Sequence, residues 1–463
     1  MSAEHAVDVV VLGLGAGGEY AAIKLARAGL VVVGVERDLV GGECPFWGCT
    51  PSKLMIRGAH VLAEARHVDE LAGRAVVEPD LGPTAARIRE ANHDWTDDGH
   101  SGPLREAGVR LVRGRGRLDG PGRVVVETTA GTETYVAGRG VVLATGTEAD
   151  APPVPGLAGT PYWTNREVVH ATAAPARLGV LGGGPIGAEL AQAFARFGSA
   201  VTLLEAGPRL LGPEEPEASA AVAAAFAREG IDVRTGVEVE QVDHGGRDGG
   251  GFRLRLAGDP GAEVEVDELL VATGRRPNLR GIGLETVGLD PDAGRVAVDE
   301  RLRAGERLWA VGDVTGEGPF THVAKYQAVG VVANVLGREV RPADYRALTR
   351  VTFTDPEVGA VGLTEQQARE AGVDVRVGLA DVPRSSRGWM HGPGNEGVVK
   401  VVADAARGVL VGGTVAAPYG GEVMGLLSTA VHAEVPVEVL RGMHFPFPTF
   451  QRTIEAALKA LDV

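Results

Sequence analysis

A chain of 463 residues is too long for one hydrophobic core and should divide into about three domains. Its formal net charge of -15 opposes phosphate backbones and anionic lipid surfaces, which argues against nucleic acid and membranes and leaves small molecules as the expected partners. With 23% charged and 44% hydrophobic residues, the composition is that of a folded globule, neither disordered nor fibrous.

The start, MSAEHAVDVVVLG, has neither the basic region nor the apolar stretch and cleavage site of a signal peptide, and it runs directly into a strand. Glycines and charges interrupt every apolar run before the roughly 18 to 20 residues needed to cross a bilayer. A cytoplasmic location is expected. The segment DVVVLGLGAGGEYAAIKLARAGLVVVGVE reads as a βαβ unit, with Gly13, Gly15 and Gly18 in GxGxxG spacing and Glu36 at the end of the second strand. Such glycines allow a tight turn, close approach of a pyrophosphate to the helix N-terminus, and close packing of helix on strand, while the acid can accept from a ribose hydroxyl.

Cys44 and Cys49 follow at once in GGECPFWGCTPSK and are the only cysteines of the chain. In a reducing compartment a nearby pair is more often redox-active or metal-binding than structural, and zinc would need two further ligands that do not follow. No metal site is expected. Five residues apart on a regular helix, the two Cα atoms would lie about 8 to 9 Å apart, beyond the ~7 Å limit for a disulfide. A distorted turn must therefore bring them together, and Gly41, Gly42, Pro45 and Gly48 allow one. A helix after Pro51 would direct its positive end at a thiolate.

Residues 55 to 95 look largely helical, and the stretch from Val109 to Gly146 looks like short antiparallel strands closed by Ala144, Thr145 and Gly146. Pro152, Pro153 and Pro155 mark a linker. Residues 177 to 205, RLGVLGGGPIGAELAQAFARFGSAVTLLE, then repeat the first unit, with Gly182, Gly184, Gly187 and Glu205 in the same register and a second closing Ala272, Thr273 and Gly274. Two dinucleotide sites are implied. After residue 345 the pattern changes to alternating strands and two amphipathic helices without a glycine turn, which suggests a third domain.

Together with ATGRRPN at 272–278, LWAVGDV at 308–314 and FTDPEVGAVGLTE at 353–365, these motifs resemble the pyridine nucleotide-disulfide oxidoreductases, the flavoprotein family that includes dihydrolipoamide dehydrogenase, glutathione reductase and mercuric reductase. The resemblance spans nearly the whole chain. It implies an α/β protein with two Rossmann-like domains and an α+β dimerisation domain: FAD on 1–149 and 277–345, NAD(P)H on 150–276, and the dimer interface on 346–463. It makes the first glycine turn the FAD site, with Gly312 and Asp313 on the flavin ribityl chain, and the second the nicotinamide site. Cys49 becomes the flavin-proximal thiol and Cys44 the interchange thiol. Lys53 becomes an ammonium near the flavin paired with Glu189, where a fixed positive charge would stabilise the reduced ring. Glu205 favours NADH because a carboxylate repels a 2′-phosphate, with NADPH the alternative given Arg209 nearby. A homodimer sharing its active site between subunits is implied.

One segment departs from the family. Members acting on lipoamide and glutathione disulfides carry a C-terminal His-Pro-Thr followed by a glutamate. In HFPFPTFQRTIEAAL, Phe447 stands where the histidine would and Arg452 where the glutamate would. A phenyl ring cannot donate a proton, and general acid-base catalysis is typically worth about 10² to 10⁴ in rate. Slow turnover of ordinary disulfides is expected unless His444, three residues earlier, substitutes. Two cysteines also leave none for the second C-terminal thiol group of mercuric reductase or the large thioredoxin reductases. The leading expectation is an NAD(P)H-dependent reductase of a disulfide or thiol-linked small molecule. Alternatives are thioether cleavage and carboxylation, as in 2-ketopropyl-coenzyme M oxidoreductase/carboxylase, which also replaces that histidine by phenylalanine, or quinone or oxygen reduction at the flavin. A subunit docked on a dehydrogenase complex is disfavoured by the missing dyad.

Overall fold

A computed structural model describes residues 4–245, 250–258 and 261–462. By contacts the chain forms two compact units, one of Met1–Pro51, Arg87–Asp150 and Arg275–Asp344, the other of Ser52–Ala86, Ala151–Gly274 and Tyr345–Val463.

The first unit is built on an eight-stranded sheet. Its strand Glu4–Leu12 pairs in parallel with Val32–Glu36 on one side and Gly131–Leu143 on the other. Val9, Val10, Val11 and Leu12 are all buried, as expected of a strand covered on both faces. The period-2 alternation of side chains divides them. Val9 and Val11 pack against Ala21, Ala22 and Leu25 of the helix Ala16–Arg27 and Ala328 and Val331 of the helix Thr321–Val335. Val10 and Leu12 pack on the opposite face with Val124, Val126 and Tyr135. The strands Arg115–Leu118, Arg123–Thr128 and Gly131–Leu143 are antiparallel as their sequence suggests, whereas Arg110–Arg113 instead lies parallel to Val32–Glu36. It is the end of a crossover, and a crossover connection delivers parallel pairing.

The second unit holds the repeat. Its parallel sheet runs Asp232–Thr235, Ala200–Glu205, Arg177–Leu181, Glu268–Val271, beside a three-stranded antiparallel sheet over residues 239–266. A five-stranded antiparallel sheet follows, in the order Thr349–Thr352, Glu357–Gly362, Val409–Ala417, Val398–Asp404, Val375–Asp381. The helix Gln451–Lys459 buries Ile454, Ala457 and Leu458 in that sheet's core, with Leu427 and Ala430 of Gly425–His432.

Three local expectations change. The helix expected after Pro51 begins at Cys49 and runs to Arg66, because proline is tolerated in a first turn whose N–H groups lack intrahelical acceptors. Helix does not continue to residue 95: after Gly82–Ala91 the chain turns left-handed through His93, Asp94 and Trp95, with φ of 47°, 55° and 57°. Beyond residue 345 there are more than two helices, several of only four to six residues, too short for a hydrophobic period to show in the sequence.

Candidate nucleotide sites and redox pair

The two glycine turns are alike. A Cβ on Gly13 would overlap Ala144 O and one on Gly18 would overlap Gly13 O; likewise Gly182 faces Ala272 O and Gly187 faces Gly182 O. These four glycines are dictated by the chain's own packing. The middle glycines are not. Nothing lies nearer than 4.0 Å to a Cβ on Gly15, nothing lies within 4 Å of one on Gly184, and their φ of -70° and -72° suit any residue. Both head helices that have no side-chain cap, Ala16–Arg27 and Pro185–Arg196. Open space before uncapped N–H groups is a cradle for a pyrophosphate, and a side chain would fill it.

The acids repeat at atomic detail. Glu36 Oε2 accepts from Leu14 N at 2.7 Å and Oε1 from Asp38 N at 2.9 Å. Glu205 Oε2 accepts from Gly183 N and Oε1 from Gly207 N, both at 2.5 Å. Each carboxylate clamps its turn and keeps further lone pairs for a ribose. Burial raises the pKa of Glu36, opposed by these N–H donors. One terminal nitrogen of Arg209 donates to Gly212 O at 2.6 Å and Glu214 O at 3.1 Å, while its buried Nε has no hydrogen-bond partner among the described residues.

Asp313 is fixed beside the first turn's closing strand. Its Oδ2 accepts from Thr147 Oγ1 at 2.7 Å, and Arg275 Nε donates to the same hydroxyl at 2.8 Å. Burial pushes the Asp313 carboxyl up. Gly312 N donates to Gln327 Oε1 at 2.6 Å, and the left-handed Gly146 and Gly274 have nothing within 4 Å of a built Cβ. These residues fit FAD on the first unit: an open helix end, a ribose acceptor and a buried carboxylate.

Cys44 lies in the short helix Glu43–Phe46 and Cys49 opens the helix Cys49–Arg66; both are free thiols, Cys44 half-buried and Cys49 exposed. Thr321 Oγ1 lies 3.7 Å from Cys49 Sγ. Interaction with the Cys49 thiol, then burial, drive the Cys44 pKa well above the usual thiol range, so Cys44 keeps its proton. The break between the two helices at Trp47 and Gly48 does what a continuous helix could not. One turn beyond Cys49, Lys53 Nζ donates to Glu189 Oε2 at 2.6 Å and sits 4.6 Å from the Phe353 ring centre; Glu189 Oε1 accepts from Phe353 N at 2.8 Å.

At the C-terminal segment, Phe447 is 63% exposed and its bond to Pro448 is cis. The Arg452 guanidinium stacks 5.4 Å from its ring centre while Arg452 Nε donates to Glu455 Oε2 at 3.0 Å. Sequence spacing put Arg452 in the glutamate's place but could not show this stacking. His444 is exposed. Asn92 and Trp95, in a stretch whose local preference is helical, donate to Phe46 O between the cysteines at 3.1 and 3.2 Å. The one signal for them is an indole and an amide in a segment that ends a helical pattern. Among the described residues no group of three or more His, Cys, Asp or Glu could hold a metal ion, and no helix is long and apolar enough to cross a membrane.

Residues 7–328 match the family model described as pyridine nucleotide-disulphide oxidoreductase, and residues 348–458 match that family's dimerisation domain. The chain is 36% identical to a mercuric reductase of Streptomyces lividans, over 99% of this chain and 96% of that one. It is 33% identical to a dihydrolipoyl dehydrogenase of Zymomonas mobilis, over 99% and 98%. Among solved structures, the HOCl-induced flavoprotein disulfide reductase RclA of Escherichia coli superposes with a TM-score of 0.85 at 25% identity, covering 98% of this chain and 99% of that one. LpdA of Mycobacterium tuberculosis does so at 0.85 and 27%, with coverage of 98% and 99%. Proteins of this family use FAD and NAD(P)H and form homodimers through the second domain. With its two dinucleotide turns, its cysteine pair and a match across both family domains, the chain belongs to the pyridine nucleotide-disulphide oxidoreductases and is a flavin-dependent oxidoreductase.

Proposed function

We propose that this protein uses NADH to reduce the Cys44–Cys49 pair, which in turn reduces a disulfide or thiol-linked small molecule, in a cytoplasmic homodimer whose active site draws on both subunits. The observation that carries this reading is the pair of free thiols set on either side of the helix break at Trp47 and Gly48, with Cys49 opening the helix Cys49–Arg66. FAD, when bound, supplies the two-electron relay between nicotinamide and sulfur. The chain's own residues do the rest. The helix Ala16–Arg27 receives the FAD pyrophosphate, Glu36 a ribose and Asp313 the ribityl chain; Pro185–Arg196 and Glu205 do the same for the nicotinamide dinucleotide. We divide the chain accordingly into FAD (1–149, 277–345), NAD(P)H (150–276) and dimerisation (346–463) domains.

Glu205 stands against a 2′-phosphate and Arg209 is already bonded to two carbonyls, so NADH is the donor. The Lys53–Glu189 pair holds an ammonium in one place for the reduced flavin. Phe447 and Arg452 supply no general acid to a departing thiolate, so turnover of lipoamide and glutathione disulfide is slow. Stopped-flow mixing of the oxidised holoenzyme with NADH, then with candidate disulfides, tests the reading. Flavin reduction should be fast, NADPH several-fold less effective, and lipoamide slow; a colourless protein, or one without a dithiol–disulfide cycle, overturns it. Phe447, which has no proton to give, is what a second reading requires: cleavage of a thioether-linked ketone at a site that withholds protons from a carbanion.

A further inference from the structure

The hexapeptide from Cys44 to Cys49 is gripped from outside by one segment, residues 92–100. Phe46 O accepts two side-chain hydrogen bonds, from Asn92 Nδ2 at 3.1 Å and Trp95 Nε1 at 3.2 Å. Asn92 and Phe46 are each only 2% exposed, so this carbonyl and its amide donor are held away from water. Asp97 Oδ2 accepts from Val40 N at 2.7 Å, just before the hexapeptide. The His100 ring lies edge-on to Phe46, 5.7 Å between centres, and close against Gly41.

To present Trp95 the chain takes three successive non-glycine residues, His93 to Trp95, through positive φ, which L-residues resist. The turn is pinned in that shape. Arg89 donates from Nε and one terminal nitrogen to Asp94 Oδ1 at 3.1 and 2.9 Å, and Thr96 Oγ1 donates to His93 O at 2.9 Å. A conformation that opposes local preference, tied at both ends, and aimed at a carbonyl midway between two reacting thiols, calls for a reason beyond folding.

We propose that Asn92 and Trp95 are positioning residues for the redox pair: by fixing Phe46 O they hold the two thiols within bonding reach and so set the reduction potential of Cys44–Cys49. The proposal rests on the reading of that pair as the redox centre. In the reduced protein the helix break at Trp47 and Gly48, fixed through Phe46 O, already turns the two thiols toward each other, so little backbone freedom remains to be lost on closure. Without the grip the dithiol gains freedom that the disulfide cannot have. Closure then becomes less favourable, and the disulfide becomes easier to reduce.

The test equilibrates the FAD-bound full chain in glutathione redox buffers. Each closing thiol loses its proton, the S–S bond forms, and the electron pair passes to glutathione disulfide, which leaves as two thiols. Acid quenching, alkylation and mass measurement then give the fraction closed. Trp95→Phe keeps an aromatic ring and removes the donor; it should lower the closure constant by about three- to tenfold, tenfold corresponding to ~30 mV. Asn92→Ala with Trp95→Phe should lower it further, and the exposed Arg89→Met, which unpins the turn without touching the core, should lower it less. The rate of flavin reduction by NADH should stay within about twofold. If Trp95→Phe and Arg89→Met both retain FAD and the wild-type closure constant, the inference is overturned. If wild type itself forms no Cys44–Cys49 disulfide across the buffers, the reading of the pair falls and the inference with it.

Discussion

At Phe447 and Arg452, where the family resemblance leads one to expect a proton-transfer pair, a guanidinium lies over a phenyl ring that has no proton to give. Phe447→His with Arg452→Glu should therefore raise reduction of lipoamide by at least about tenfold, a modest part of the usual acid-base contribution, while flavin reduction by NADH changes little. If wild type already matches the double variant, another group such as His444 provides the proton. The thiols offer a second check by pH. Interaction with the Cys49 thiol is the main reason Cys44 holds its proton to high pH, and only a thiolate is alkylated readily. In the reduced protein, Cys44 should react slowly at pH 8 and faster as pH rises. Cys49→Ala removes the main cause, so the midpoint of the Cys44 alkylation profile should move to lower pH; an unmoved midpoint would assign the shift to burial alone.

The two βαβ elements are the same device made twice, down to the acid that grips its own turn through two backbone N–H groups. Their glycines separate by cause. Gly187 is required by the close approach of helix to strand, whereas Gly184 has an ordinary backbone and open space before it. Gly184→Val should leave the thermal midpoint nearly unchanged and weaken NADH binding by about tenfold or more, since a branched side chain would occupy the phosphate cradle. Gly187→Val should instead lower the midpoint, because helix and strand must part. Thermal unfolding beside NADH titration of the two variants separates these outcomes; equal loss of stability in both would remove the argument from open space.

On the scale of the whole chain, one buried cation ties distant segments of the second unit. Lys400 Nζ lies 2.9 Å from carboxylates of Glu215, Glu217 and Glu365, and its side chain is 3% exposed. Burial opposes the charge, yet the three acids hold the lysine pKa above its ordinary value. Lys400→Met would leave the equally buried Glu215 facing like charges, and breaking a buried pair in this way typically costs about 3 to 5 kcal/mol. Denaturant unfolding of the purified holoenzyme should show a loss of that order, and a loss below about 1 kcal/mol would show that water or rearrangement relieves the carboxylates.

Residue spacing alone identified both glycine turns, the acids that end them and the cysteine pair, because each depends on contacts within one short stretch whose geometry is set by backbone sterics and helix and strand period. The resemblance carried by the motifs named Lys53, Glu189 and Asp313. What the sequence could not show is every feature in which a side chain meets a segment far along the chain. The grip of Glu36 on Leu14 N, that of Glu205 on Gly183 N and the left-handed turn that brings Trp95 to Phe46 O are of this kind. A run such as NHDWT reads as the tail of a helix by local preference. Only packing against the cysteine loop, strong enough to outweigh three unfavourable φ angles, turned it into a support for the redox pair.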